Sequence, residues 1–487
     1  MRLDSHTVLP DTIARPRYQR ERHGPGIVHL GVGAFHKAHQ ARYTEAVLNQ
    51  FGGDWRITGV SLRSAEAHRQ LADQDYLYTL EVRDGSNCQR QVIGALADLI
   101  VAPQHPQRVV AALSAAQTAV VTLTVTEKGY CLSPQSSRLD CEHPDIHHDL
   151  AHPDHPRSAL GYLAAGLRVR RQLQRPGLTL ISCDNISGNG EKLRHALLGF
   201  CQLLDPALAQ WIDRHCRFPS TMVDRIVPAS SDSDILHLEQ ATGYRDRAAV
   251  FTEPFSQWVI ENNFAGPVPA WNRVGAEYVD DVAPFETMKL RMLNAAHSAI
   301  AYIGVLAGYP TVDTLMAVPA LHRFVESLMR DEAAPTLALP AGYDLRDYRQ
   351  RLLQRFANTA LQHRCQQIAM DGSQKNPNRL LPILRWQLEH DGPIACTTAA
   401  LAAWLRYTQG VDEAGNQYQV DDPMAAQFTA LFETRGRKAK DYLPGFRSMN
   451  SLFPQDIASS DRAFNAIAEW LERFESQGVA AAITAID

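Results

Sequence analysis

Three polar residues of different chemistry, Lys289, Asn294 and His297, fall inside one otherwise apolar stretch from Pro284 to Gly304. An amine, an amide and an imidazole converging on one point can move a proton to or from an alcohol and hold the oxyanion that forms. Met288, Met292, Leu293, Ala296, Ile300 and Ile303 recur at helical spacing, which predicts a single helix with a buried stripe. At about 100° per residue, Asn294 and His297 share a face about 60° apart. Lys289 stands about 140° from Asn294 and must reach over with its long stem. The rival reading is a solvated face plus one satisfied core histidine, and spacing by itself favours it. Other stretches change that balance.

Polar residues also end several strand-like runs. Ala119 to Val125 is β-branched and runs into Thr126-Glu127-Lys128-Gly129, and Leu178 to Cys183 runs into Asp184-Asn185 and a Gly-containing loop. Ligands of open α/β sheets bind beyond the carboxyl ends of strands, so Glu127 and Asn185 are site candidates, with strand-end capping as the alternative. Asp224-Arg225 lies within the apolar block Phe218 to Pro228, where adjacent opposite charges suggest a buried network or a site wall. Gly31 and Gly33 would let the backbone approach a pyrophosphate at a helix N-terminus. That fingerprint is incomplete: His36 occupies the third glycine position, and Leu62 at the end of the next strand is followed by Arg63 where an acid is usual. A tight turn without ligand is the alternative. Met370 to Lys375 forms a Gly-centred turn carrying a cation. The His-rich stretch Cys141 to His155 is punctuated by Pro144 and Pro153, and a solvated loop is expected there instead of a metal site.

These residues need a scaffold. A buried strand over 26–33, a helix from His36 to Asn49 and a strand over 55–62 make a βαβ unit, the building block of parallel sheets. Tyr76 to Val82 and the two later runs are read as more of that sheet, and residues 1–25 as a polar arm over the surface. From about residue 285 the chain becomes amphipathic and helical, with helices near 313–333, 345–361, 378–390, 396–407 and 460–474. The expectation is an α/β protein with a Rossmann-type doubly wound sheet over 1–284, followed by a mainly α-helical substrate domain over 285–487.

Composition limits function. The 487 residues carry a formal net charge of −5 and 45% hydrophobic residues, with mean hydropathy −0.25. Nothing there favours nucleic acid or an anionic membrane as partner. Eight scattered cysteines without a CxxC pair, and no apolar signal core at the N-terminus, point to a reducing cytoplasm. Monomer is expected, because no heptad or apolar helix advertises a partner surface.

In combination these stretches resemble the mannitol dehydrogenase family, the polyol-specific long-chain dehydrogenases. The likeness rests on Gly31-x-Gly33-x-Phe35, on Val-Asp-Arg within Phe218 to Pro228, and on Lys289-x4-Asn294-x2-His297, and it spans about residues 26 to 430. Within the family the chain is most similar to the fructuronate reductases, through Thr124 to Tyr130, Met288 to Asn294, Ile368 to Lys375 and Arg406 to Glu413.

The resemblance implies a metal-independent, NAD-dependent dehydrogenase interconverting D-fructuronate and D-mannonate. It implies Lys289 as general acid/base, Asn185 and Asn294 as oxyanion donors, His297 orienting substrate, and Glu127 linking the lysine to solvent protons. Asp224 and Lys375 would line the sugar site, while Gly31, Gly33 and Phe35 would serve the cofactor. Arg63 could pair with the 2′-phosphate of NADP, but the resemblance implies NAD(H) with Arg63 along the adenine or its phosphates. Polyol-oxidising relatives carry an arginine where this chain has Gln367, which counts against mannitol itself. A sugar carboxylate needs a cation. Lys375 is the leading candidate, with Arg364 and Arg379 flanking it. A dehydrogenase of mannitol, sorbitol or arabinitol is the alternative activity.

Overall fold

The computed structural model describes residues 1–133 and 138–484. They form two compact units, Met1–Ala283 and Pro284–Asp487.

In the first unit five parallel strands make one sheet in the order Leu96–Val101, Ile57–Ser61, Ile27–Leu30, Val120–Leu123, Thr179–Ser182. All their residues but Ala97 and Asp98 are buried, because both faces are covered. Val28, Leu30, Val121, Leu123 and Leu180 pack against one layer of helices, and Ile27, Val120 and Ile181 belong to a second core on the opposite face. Burying each such side chain is worth about 1.5–3 kcal/mol. The strand order reverses between Ile27–Leu30 and its two neighbours, the place where doubly wound sheets bind ligands.

Four readings need correction. Tyr76 to Val82 does not extend this sheet. Tyr78–Asp84 pairs antiparallel with Asn87–Ile93 in a separate sheet that also includes Ile13–Ala14 and Val250–Thr252. Gly85, at φ 55°, allows the two-residue turn that such a hairpin needs. The N-terminal arm is not merely a polar covering: Leu3, Leu9 and Ile13 are buried with Leu77, Val92 and Tyr244. The helix expected from His36 to Asn49 is two helices, Ala34–Ala38 and Gln40–Phe51, broken at His39. The His-rich stretch contains a helix, Pro144–Ala151, because Pro144 sits at its first position, where no N–H is needed. His148 and His152 stack there at 4.8 Å. No cluster of metal-ligating side chains occurs among the described residues.

The second unit is helical, with only isolated bridges at Thr311–Arg364 and Val411–Gln417 outside its helices among the described residues. Ala295–Leu306 is buried along nearly its whole length and packs on Ala395–Tyr407, which in turn packs on Asp461–Gln477. Ala295–Leu306 also packs on the short helix Cys365–Ile368, and a glycine permits that close approach. A Cβ on Gly304 would come within 2.6 Å of the Cys365 sulfur. Asp461–Gln477 buries Phe464, Ile467, Trp470 and Leu471 on one side, the stripe its periodicity predicts.

Candidate active site

The glycine turn of the first unit lies beyond the strand Ile27–Leu30. Gly31 has φ 95°, and a Cβ there would meet the Thr124 carbonyl oxygen at 2.2 Å, so only glycine fits. The Thr124 hydroxyl donates to the Gly31 carbonyl at 2.7 Å, and the His29 ring reaches the same carbonyl at 3.2 Å. Gly33 is different: a Cβ there would meet nothing nearer than 4.0 Å, and its backbone opens on a cleft of about 900 Å³. A bare, approachable backbone at the switch point of a doubly wound sheet fits a dinucleotide phosphate.

His36 stands where the third glycine is usual. Its ring stacks on His29 with centroids 3.4 Å apart, so an aromatic pair fills the space that closer helix–strand packing would otherwise close. Phe35 stacks on His39 at 4.9 Å. Arg63 does not line the 900 Å³ cleft; it is 82% exposed and pairs with Asp145 at 3.2 Å beside a neighbouring hollow. The arginines that do line the cleft are Arg69, Arg245 and Arg247. Sequence reasoning missed them, because two of them reach it from the segment between the helix Asp232–Thr242 and the strand Val250–Thr252, far from Gly31 in the chain.

Asp184 organises the next strand ends. It is buried, and its carboxylate accepts from the Val125 and Thr126 amides at 3.1 and 2.8 Å and from the Tyr130 hydroxyl at 2.6 Å. Burial raises its pKa, while those hydrogen bonds favour the ionised form. The clamp ties the turn carrying Glu127 to the loop carrying Asn185, and both of these residues are exposed. Asn189 extends it, donating to the carbonyls of Asp184 at 3.0 Å and Thr221 at 2.9 Å and accepting from the Thr221 amide at 2.8 Å. Arg217, just before the strand Thr221–Asp224, bridges in parallel with Thr179. Asp224 ends that strand, which belongs to a separate three-stranded sheet and pairs antiparallel with Gln257–Glu261, and is itself buried. Arg225 is buried beside it and donates to the Glu253 carbonyl at 2.9 Å.

In the second unit the expected single helix has three parts: Ala283–Met288, a π-helical turn Lys289–Asn294, and Ala295–Leu306. The π turn corrects the geometry of the site. The Ala295 amide bonds to Leu290 five residues back, and an i→i+5 ladder brings each residue over the one five before it. Lys289 and Asn294 thus share a face, where an α-helix would hold them about 140° apart. Lys289 is buried and Asn294 partly so. A turn later His297 is buried against Phe356 at 4.6 Å and His363 at 5.7 Å. Its pKa lies well below the usual value, first through burial and then through His363, Arg355 and Arg379, so its ring is neutral at physiological pH.

The other expected cations are placed as follows. Lys375 sits on the helix Gly372–Arg379, and its ammonium donates to the Met370 carbonyl at 2.6 Å with Asp371 3.8 Å away. Burial, then Arg379, lowers its pKa. Arg364 is exposed just before Cys365–Ile368. Arg379, only a flanking residue in the sequence, donates to the Ser298 hydroxyl at 3.0 Å and the Asn294 carbonyl at 3.4 Å. Its position one helical turn after Lys375 was the available signal.

The chain is similar to known proteins over nearly its whole length. Residues 25–273 match the family model for the mannitol dehydrogenase Rossmann domain, and residues 281–475 that for the mannitol dehydrogenase C-terminal domain. The D-mannonate oxidoreductase of Escherichia coli (strain K12) is 40% identical over 482 residues, covering 97% of this chain and 98% of that protein. The structure of Pseudomonas fluorescens mannitol 2-dehydrogenase in ternary complex with NAD and D-mannitol is similar over 99% of both chains, with 35% identity and TM-score 0.83. That of a D-sorbitol dehydrogenase in substrate-free form covers 99% of this chain and 100% of its own, with 31% identity and TM-score 0.93.

Proposed function

The chain belongs to the mannitol dehydrogenase family, and we propose that within it the protein is an NAD(H)-dependent oxidoreductase interconverting D-fructuronate and D-mannonate. The observation that carries the chemistry is the π turn, which holds Lys289 and Asn294 on one face of a buried helix. The choice of substrate is supported by 40% identity to a D-mannonate oxidoreductase and by Gln367 standing where polyol-oxidising relatives have arginine.

In the reductive direction the ketone carbon would accept hydride, the chemistry that a reduced nicotinamide dinucleotide supplies when bound. Gly31, its own N–H and carbonyl engaged by Val60 and Thr124, shapes the turn, and Gly33 would receive the dinucleotide phosphates along its exposed backbone. Asn294 and Asn185 donate to the substrate oxygen as negative charge develops on it, each worth about 3 kcal/mol when preorganised. Lys289, as ammonium, gives that oxygen its proton, and Glu127 relays the replacement proton from solvent. His297, neutral, donates to or accepts from a substrate hydroxyl and so orients the ring-opened sugar.

A neutral-polyol activity is the second reading, supported by the structural likeness to mannitol and sorbitol dehydrogenases. A panel of D-fructuronate, related ketouronates, D-fructose and other ketoses, followed by NADH and NADPH absorbance, decides between them. The uronate is expected to have the highest kcat/KM, with NADH preferred. Good turnover of fructose with none of any uronate would assign the neutral-polyol activity.

A further inference from the structure

We propose that Arg379 is the specificity-determining anchor for the substrate's carboxylate. This rests on the reading of the substrate as a sugar acid. Arg379 is the last residue of the helix Gly372–Arg379 and is mostly buried. Its partners, the Ser298 hydroxyl and the Asn294 carbonyl, are both neutral, and both are engaged through Nη1. Among the described residues no Asp or Glu carboxylate lies within ion-pair distance of this guanidinium. Burial lowers its pKa, with only Tyr302 acting in the opposite direction.

A desolvated cation without a counter-charge is unfavourable unless a ligand supplies one. An arginine has five N–H donors in a planar fork, so Nε and Nη2 remain available for a bidentate acceptor of carboxylate geometry. The surroundings favour an anion too: Arg355 and Arg379 together set a positive potential at His297.

The other two cations considered are less suited. The Lys375 ammonium is held by the Met370 and Ile368 carbonyls at 2.6 and 3.5 Å, and Asp371 already answers its charge. Arg364 is exposed, where a pairing with carboxylate would be screened by water. Arg379 also touches the main chain of Asn294, one end of the π turn, so an anchored carboxylate would sit beside the residues assigned to the chemistry.

The test is steady-state kinetics of the full-length enzyme and of R379M and R379K, with D-fructuronate and with D-fructose, together with NADH affinity and thermal midpoints. R379M is expected to raise KM for fructuronate about 30-fold or more, with the loss falling mainly on KM, and to change kcat/KM for fructose far less. R379K keeps the charge without the fork and should raise KM for fructuronate roughly 5- to 20-fold. It carries the test if R379M does not fold. Equal losses on both substrates, or an unchanged KM in R379K, would show that Arg379 only braces the π turn and overturn the assignment while leaving the fructuronate activity intact. A wild-type enzyme that reduces fructose and no uronate overturns both.

Discussion

The imidazole rings of His29 and His36 lie face to face, with centroids 3.4 Å apart and planes 15° from parallel. Both are fully buried, and burial pushes the His29 pKa down to about 3, so this ring is neutral in the native protein. His29 accepts or donates at the Thr122 hydroxyl at 2.7 Å and reaches the Gly31 carbonyl, so the stack sits directly beneath the glycine turn. His36→Ala should remove a packed ring and lower stability by about 2–4 kcal/mol, while His36→Phe, which keeps the flat ring, should stay within about 1.5 kcal/mol of wild type. Urea denaturation of the two variants gives the comparison. A well-tolerated alanine would mean the stack does not support the turn.

Lys289→Ala should lower kcat by about 10²–10⁴-fold with NADH affinity unchanged, because the lysine is assigned to the substrate's oxygen and not to the dinucleotide. Asn294→Ala and Asn185→Ala should each lower kcat by about 10²–10³-fold if they are oxyanion donors. An effect confined to KM in either asparagine variant would make that residue a ground-state contact.

Asp184 touches no expected ligand, yet it holds the two strand-end loops that carry Glu127 and Asn185. Asp184→Ala would take the acceptor from the part-buried amides of Val125 and Thr126 and leave the Tyr130 hydroxyl with Ser182 alone, costing about 1–3 kcal/mol. Activity should fall with stability, and Asp184→Asn, which retains one acceptor oxygen, should recover part of both. Full activity in the alanine variant would remove Asp184 from a positioning role.

His297 has a folded pKa below its usual value of 6.5. Below pH ~6.5 the unfolded chain therefore takes up a proton that the native site refuses. The stabilisation is complete above pH ~6.5 and is lost as pH falls toward the folded pKa, at up to about 1.4 kcal/mol per pH unit. Between pH 7 and 5 the wild type should lose stability more steeply than His297→Asn, as read from urea midpoints. Parallel pH slopes would show that His297 is protonated in the native state.

The lysine mechanism needs no metal. Activity is expected to survive exhaustive dialysis against EDTA, with no stoichiometric zinc measured by mass spectrometry. Loss of activity that returns with added zinc would transfer the acid–base role to a metal-bound water and bring His143, His147, His148, His152 and His155 back as ligands.

Much of this protein is decided locally. Continuous β-branched runs such as Ala119 to Val125 can be stable only where both faces are covered, which dictates a buried parallel sheet. The apolar stripe of Phe464, Ile467, Trp470 and Leu471 likewise makes a helix wherever the chain provides a core. Residue identity also marked Lys289, Asn294 and His297 as chemically able. Tertiary structure decided how they are presented. A π turn is rarely stable by itself and persists where surrounding packing compensates for it, so no apolar periodicity announces that Lys289 and Asn294 share a face. The same holds for His36, whose partner His29 lies on a strand, for Asp184, whose three donors come from a loop more than fifty residues earlier, and for Arg379, whose contacts to Asn294 and Ser298 span more than eighty. Local sequence sets the period of an element. Long-range packing sets which of its side chains meet.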